Sequence, residues 1–258
     1  MNYFSKTYRI LREISIGTIF IILTGFSLSY LYNQRGLILP YIYPKYKVNN
    51  DIDVTDKDIE YAEKILEGGY ILHFRHAERD KWIDVTMYDS LESDLHNNGK
   101  NQSRYAENDY FKDAVCLNER GVVQAKAIGE HIKNINLPIG HVISSPSCRA
   151  RQTANLAFQG YDNLNRDLVH AGPYREKKSE RIKKLKDLYI NLPILRGTNT
   201  IVSAHNSVIN YQMFENSKDA SLSLEEGGFF VISRKNNKLY LEHEFNNFNY
   251  FIRNFYNR

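Results

Sequence analysis

From residue 55 to residue 245, short apolar runs that fit strands alternate with stretches whose apolar residues recur at helical spacing. This alternation constrains the fold more than any other feature. Thr55 and Asp58 form a capping signal, and Ile59, Ala62, Ile65 and Leu66 then repeat at helical spacing until Gly68 and Gly69 end the helix. A strand over Tyr70 to Phe74 follows. Asn118 can cap a helix through Val122, Ala125, Ile128 and Ile132; His141 to Ser144 reads as a second strand; Pro146 suits the first turn of another helix. A charged helix near 175 to 191, a strand over Thr200 to Ser203, a helix after Asn206, and strands over Phe229 to Arg234 and Leu239 to Phe245 complete the pattern. Strands alternating with helices predict an α/β fold with a largely parallel sheet covered on both faces. The run from 80 to 115 breaks the rhythm: it is polar, rich in Asp, Asn and Tyr, and bears the only Trp, Trp82. A connection of that length is usually functional or mobile.

Ahead of this pattern, residues 14 to 32 (ISIGTIFIILTGFSLSYLY) contain no charged side chain. As a helix rising about 1.5 Å per residue, the stretch just crosses a hydrocarbon core of roughly 30 Å. Its all-round apolar character fits a span rather than a buried amphipathic helix. Lys6, Arg9 and Arg12 precede it, opposed by Glu13, whereas Arg35, Lys45 and Lys47 follow more sparsely, which keeps the amino terminus cytoplasmic. The expected organisation is a cytoplasmic tail (1–13), a transmembrane signal-anchor (14–32), a Pro- and Tyr-bearing linker (33–50) and an extracytoplasmic domain (51–258). A cleaved signal peptide is the rival: Ser27 and Ser29 supply a small-x-small site, but there is no A-x-A and the apolar run is long.

With 42% hydrophobic residues among 258, the chain can bury a real core, which excludes a wholly disordered protein. A formal charge of +4 is too small to argue for nucleic-acid binding. Two cysteines, Cys116 and Cys148, make neither a zinc cluster unaided nor a dense disulfide framework. They can pair once, though nothing in the sequence requires it.

Arg75 and His76 follow the first strand, Arg149 falls in the first turn after the second, and His205 follows the strand at 200 to 203. In a parallel sheet those ends share one edge. Two arginines and two histidines meeting there make an electropositive, anion-sized pocket, because the planar guanidinium fork matches phosphate and helix N-termini after Ser145 and Asn206 add backbone donors.

The segments FRHAER (74–79), LNERGVVQA (117–125), SSPSCRARQTA (144–154) and VSAHNSVI (202–209), in that order, resemble the histidine phosphatase superfamily, also called phosphoglycerate mutase-like. The resemblance spans about residues 55 to 245 and implies a three-layer α/β/α sandwich. It makes His76 the nucleophile that accepts the phosphoryl group, with Arg75, Arg149 and His205 as the phosphate clamp and Asn206 beside them in substrate binding. No metal or cofactor is implied. Ala77 stands where the family usually has Gly, a small-for-small departure. The general acid varies within the family. One branch takes an Asp directly after the second histidine, where this chain has Asn206; another takes a Glu on a later loop, where Glu176 lies, and Glu78 is the further candidate.

Other groups read as structural. His73 lies three residues before His76, and on a strand such positions face opposite ways, so it suits the core or an edge rather than a metal pair. His96, His131, His141, His170 and His243 show no ligand spacing. Cys148 reads as packing. The basic run from Arg175 through Lys177, Lys178, Arg181, Lys183, Lys184 and Lys186 reads first as a solvated helix face and second as a rim for polyanions or anionic headgroups. The expected protein is a membrane-anchored phosphomonoesterase acting through a phosphohistidine outside the cytoplasmic membrane, on a phosphorylated small molecule or envelope sugar. The alternatives are a non-catalytic phosphate-binding or scaffolding protein and a phosphoglycerate mutase-type phosphotransferase.

Overall fold

The structure, a computed structural model, describes Thr24, Gly25, Ser27 and residues 54–80, 116–169, 177–217 and 222–256. The chain divides into two units, Met1–Ile52 and Asp53–Arg258. In the first, Thr24, Gly25 and Ser27 are helical and exposed. The rest of the expected span 14–32, the linker 33–50, the run 81–115 and Glu176 lie outside the described residues. Among the described residues no helix is long and apolar enough to cross a membrane.

The second unit begins with helix α1 (Asp56–Glu67), whose N-cap Thr55 and Asp58 satisfy each other's backbone N–H groups in a capping box. Strand β1 (Ile71–Arg75) is followed by α2 (Glu119–Asn134), β2 (Ile139–Ser144), α3 (Cys148–Phe158), the two-residue β3 (Asn163–Leu164), α4 (Lys178–Asn191), β4 (Asn199–Ala204), β5 (Phe229–Lys235), β6 (Lys238–Phe245) and α5 (Phe248–Tyr256). The strands form one sheet in the order β3-β2-β4-β1-β5-β6. β1, β2, β3 and β4 run parallel, whereas β5 is antiparallel to both β1 and β6. The sheet is therefore mixed, parallel where the motif-bearing strands lie and antiparallel at one edge, because β5 and β6 are joined by a tight turn through Asn236 and Asn237, both with positive φ.

Two buried clusters flank the sheet, as a three-layer fold requires. One gathers Leu72, Phe74, Ile128, Ile132, Ile201, Phe229 and Phe251 against α1, α2, α3 and α5. The other joins Ile71, Val202, Phe230 and Ile232 to Leu185 and Tyr189 of α4. Alternate residues of β1 thus face opposite layers, the period-two signature of a strand. Phe74 stacks on Phe229 at 4.5 Å between ring centres, and Phe229 meets Phe251 edge-on at 5.3 Å. Helix α5, beyond the last expected strand, closes this layer with Phe248, Phe251 and Ile252 buried on one face.

Two sequence expectations change. In place of a helix after Asn206 there are two 3₁₀ turns, Asn206–Val208 and Tyr211–Met213. Asn206 bonds to a distant loop instead of capping, the β-branched Val208 and Ile209 are poor helix formers, and the Asn210 side chain caps the second turn instead of extending the first. Cys148 is not simple packing: it is disulfide-bonded to Cys116, tying the first residue of α3 to the chain just before α2.

Candidate active site

Residues 74 to 76 leave the sheet where β1 ends. Arg75 pairs in register with Ala204 at the end of β4, and Ser144 at the end of β2 pairs with Ser203. The three parallel strands thus deliver Arg75, His76, the Ser145 turn and His205 to one edge. The turn is held by backbone bonds from His76 N–H to Ala204 O (3.0 Å) and from Ser145 N–H to Ser203 O (2.9 Å). Arg149, in the first turn of α3, is fully buried; His76 and His205 are 4% and 1% exposed.

The histidine rings meet edge to face, 5.2 Å between centres. His76 Nδ1 lies 2.7 Å from its neighbour's carbonyl, Ala77 O, so it is the protonated nitrogen and Nε2 keeps the lone pair. Burial drives the His76 pKa well below its ordinary value of 6.5; the charge of Arg149 adds to this, as do Arg75 and Arg79, while the bond to Ala77 opposes it. His76 is therefore a neutral imidazole at neutral pH, the form required of a nucleophile.

His205 is fixed on both ring nitrogens. The Arg149 guanidinium donates to Nδ1 at 3.2 Å, and Nε2 donates to Ser145 Oγ at 3.2 Å. Behind it, the buried His73 donates through Nε2 to His205 O (3.2 Å) and accepts at Nδ1 from the Tyr189 hydroxyl (2.5 Å). Burial lowers the pKa of His73 to about 3, only partly opposed by that backbone bond, and raises that of Tyr189 well above 10. His73 is thus a neutral core group, as its strand position predicts, and it also holds the backbone that carries His205.

The LNERGVVQA segment braces the loop after His76. Asn118 caps α2 by accepting from Gly121 N–H at 2.8 Å. A Cβ at Gly121 would sit 1.9 Å from Glu78 O, so only glycine lets α2 approach the loop. Gln124 accepts from Glu78 N–H (2.9 Å) and donates to Glu226 O (2.7 Å). From α3, Thr153 Oγ accepts from Ala77 N–H (2.9 Å) and donates to Arg149 O (2.8 Å). The turn that follows His76 and the helix bearing Arg149 therefore share one side chain.

His76, Arg75, Arg149 and His205 are brought together. Glu78 is close in sequence, but its carboxylate pairs with Arg120 at 2.5 Å. Asn206 binds Leu224 with both ends of its amide, donating to O at 2.8 Å and accepting from N–H at 3.2 Å, so here it braces a loop. Glu176 falls among the residues not described. Sequence reasoning missed Glu226, whose Oε1 lies 2.5 Å from Arg75 NH2. The signal was Glu225-Glu226 directly before Gly227-Gly228 at the entry to β5. Gln124 and Arg79 lie within the motif blocks, yet their roles beside His76 emerge only from the fold. Among the described residues no group of three or more His, Cys, Asp and Glu is placed to hold a metal.

Residues 110–168 match the model of the histidine phosphatase superfamily (branch 1). A comparison with curated proteins found no match. Among solved structures, the protein histidine phosphatase SixA complexed with tungstate aligns at 13% identity over 68% of this chain and 96% of that one, TM-score 0.43. A phosphoserine phosphatase from Entamoeba histolytica aligns at 14% identity over 68% of this chain and 95% of that one, TM-score 0.44. A third similar structure is a putative alpha-ribazole-5'-P phosphatase from Escherichia coli, at 12% identity over 67% and 94%, TM-score 0.42. The matched segment carries the LNERGVVQA and SSPSCRARQTA motifs, and the RH and AHN motifs meet it at the same sheet edge, so the site as a whole is similar to that of the histidine phosphatase superfamily.

Proposed function

We propose that the protein hydrolyses a phosphomonoester through a phosphohistidine formed on His76. The observation that carries this reading is the state of that residue: a buried neutral imidazole with Nδ1–H held by Ala77 O, leaving the Nε2 lone pair beside Arg149 and His205. Attack by Nε2 on phosphorus forms an N–P bond as the P–O bond to the leaving alcohol breaks, and a general acid protonates the departing oxygen. Water then attacks the phosphohistidine, the N–P bond breaks, and inorganic phosphate leaves with His76 restored. Negative charge spreads over the equatorial oxygens in each step, and the Arg75 and Arg149 guanidiniums suit that charge without reorganising. Glu78 and Glu176 are the candidate acids.

We place this activity outside the cytoplasmic membrane, anchored by residues 14–32. Two features support the placement. The uncharged run has the length of a span with the larger positive charge before it. Cys116 and Cys148 form a disulfide, and disulfides as a class persist in oxidising compartments and are rare in the cytosol. Phosphorylated small molecules or envelope sugars are the matching substrates, and central glycolysis is not an apt setting for a mutase here.

The test is phosphate release by the full chain in mild detergent from phosphosugars, nucleotides and an aryl phosphate, beside His76→Ala. Release by the wild type that falls at least about 10³-fold in the variant, with a phosphoenzyme trapped by acid-free quench only in the wild type, supports the reading. A folded wild type that binds inorganic phosphate yet turns over none of the panel would favour the binding-protein alternative.

A further inference from the structure

We infer that Glu226 is the positioning residue of the phosphate clamp, fixing the Arg75 guanidinium in the orientation that receives the phosphoryl group. The inference rests on the proposed phosphatase site. Arg75 stands at the end of β1, where its side chain retains many rotamers unless something holds the fork. Two acceptors hold it. Glu226 Oε1 takes NH2 at 2.5 Å, and Leu224 O takes NH1. Both charged side chains are mostly buried, 19% exposed for Arg75 and 13% for Glu226, so the pair is shielded from the solvent screening that makes surface ion pairs weak. A guanidinium has five N–H groups, and a carboxylate and a carbonyl on one side leave others for an oxyanion.

The acceptors are themselves fixed. Leu224 is bound at N–H and O by Asn206, the residue after His205. Glu226 O accepts from Gln124, which also holds Glu78 N–H in the loop after His76. Gly227 N–H reaches both Arg75 O and His76 O at 3.2 Å, and Arg75 N–H donates to Gly228 O at 2.9 Å. The loop 224–228 thus spans the two catalytic histidine turns, with Glu226 at the arginine. Glu226 Oε1 is engaged by the Arg75 guanidinium, so Glu226 acts through that arginine, and its removal predicts an effect on oxyanion binding.

Full-length Glu226→Gln, Glu226→Ala and Glu226→Asp, Arg75→Ala, and the Glu226→Ala/Arg75→Ala double variant test the inference. The readouts are aryl phosphate kinetics, orthovanadate affinity by calorimetry and thermal unfolding. The expected result for Glu226→Ala and Glu226→Gln is a roughly tenfold or greater weakening of both KM and orthovanadate affinity. Aspartate should restore part of the loss, and Glu226→Ala should add no more than about twofold to Arg75→Ala. Retained orthovanadate affinity in Glu226→Ala, or losses that multiply in the double variant, would overturn the assignment. So would equal loss in all three Glu226 variants accompanied by unfolding. Wild-type protein that binds no oxyanion would instead overturn the site reading, and the assignment with it.

Discussion

The Arg149 guanidinium donates to His205 Nδ1 at 3.2 Å with both side chains buried, so the second histidine of the site is aligned by the second arginine. A lysine at 149 keeps the charge but loses the planar fork that addresses an oxyanion and His205 together. Arg149→Lys should reduce kcat/KM by about 10²–10³-fold, in line with removal of one preorganised donor. Steady-state kinetics check this; a decrease below tenfold would show that the fork is not what the reaction uses.

Stability should depend on pH through the two buried neutral histidines. His73 titrates near 3 and His76 well below 6.5 in the folded chain, against 6.5 unfolded, so below 6.5 the unfolded chain binds more protons. The stabilisation is complete above that value and is lost as pH falls, by about 1.4 kcal/mol per pH unit for each histidine. Urea unfolding from pH 7.5 to 4.5 should show this slope, and His73→Gln should make it shallower by one histidine's share. An unchanged slope in that variant would contradict the assignment.

The Cys116–Cys148 bridge closes a loop with a sequence separation of 32. Chain entropy assigns such a crosslink about 3–4 kcal/mol. Reduction by a dithiol, or replacement of both cysteines by alanine, should lower unfolding free energy by about that amount. Because Cys148 immediately precedes Arg149, activity should fall as well. A dithiol should leave the double variant unaffected; if it shifts both proteins equally, the bridge is not the cause.

Gly121→Ala would place a methyl 1.9 Å from Glu78 O. Backbone must move, and the loop bearing His76 moves with it. A cost of about 1–3 kcal/mol, the range for overpacked sites, should accompany a fall in kcat. Calorimetry and kinetics together check this, and a variant with wild-type melting and turnover would remove the close approach as the reason for glycine.

Much of the site was legible before the fold. Residues 75, 76, 149 and 205 stand out because each follows an apolar strand or opens a helix, and strand ends in a parallel sheet share an edge. Strand parity alone left His73 a core or an edge role, and its burial against Tyr189 decided for the core. Helix α5 was legible in principle, since Phe248, Phe251, Ile252 and Phe255 repeat at helical spacing, but aromatic residues near an expected strand masked the period. The Glu225-Glu226 pair before Gly227-Gly228 was visible, but its link to Arg75 was not legible: Glu226 lies 151 positions away, and nothing local distinguishes it from Glu225.

The sequence by itself determined the alternation of elements and the four motif blocks with the residue types they carry, because periodicity, capping and turn residues act over a few positions. Only the tertiary structure decided which nitrogen of His76 is free, that Cys116 and Cys148 pair, that Asn206 braces Leu224, and that Glu226 holds Arg75. Those outcomes depend on which distant segments the sheet order brings together, and on burial that makes each unsatisfied polar group costly enough to select its partner.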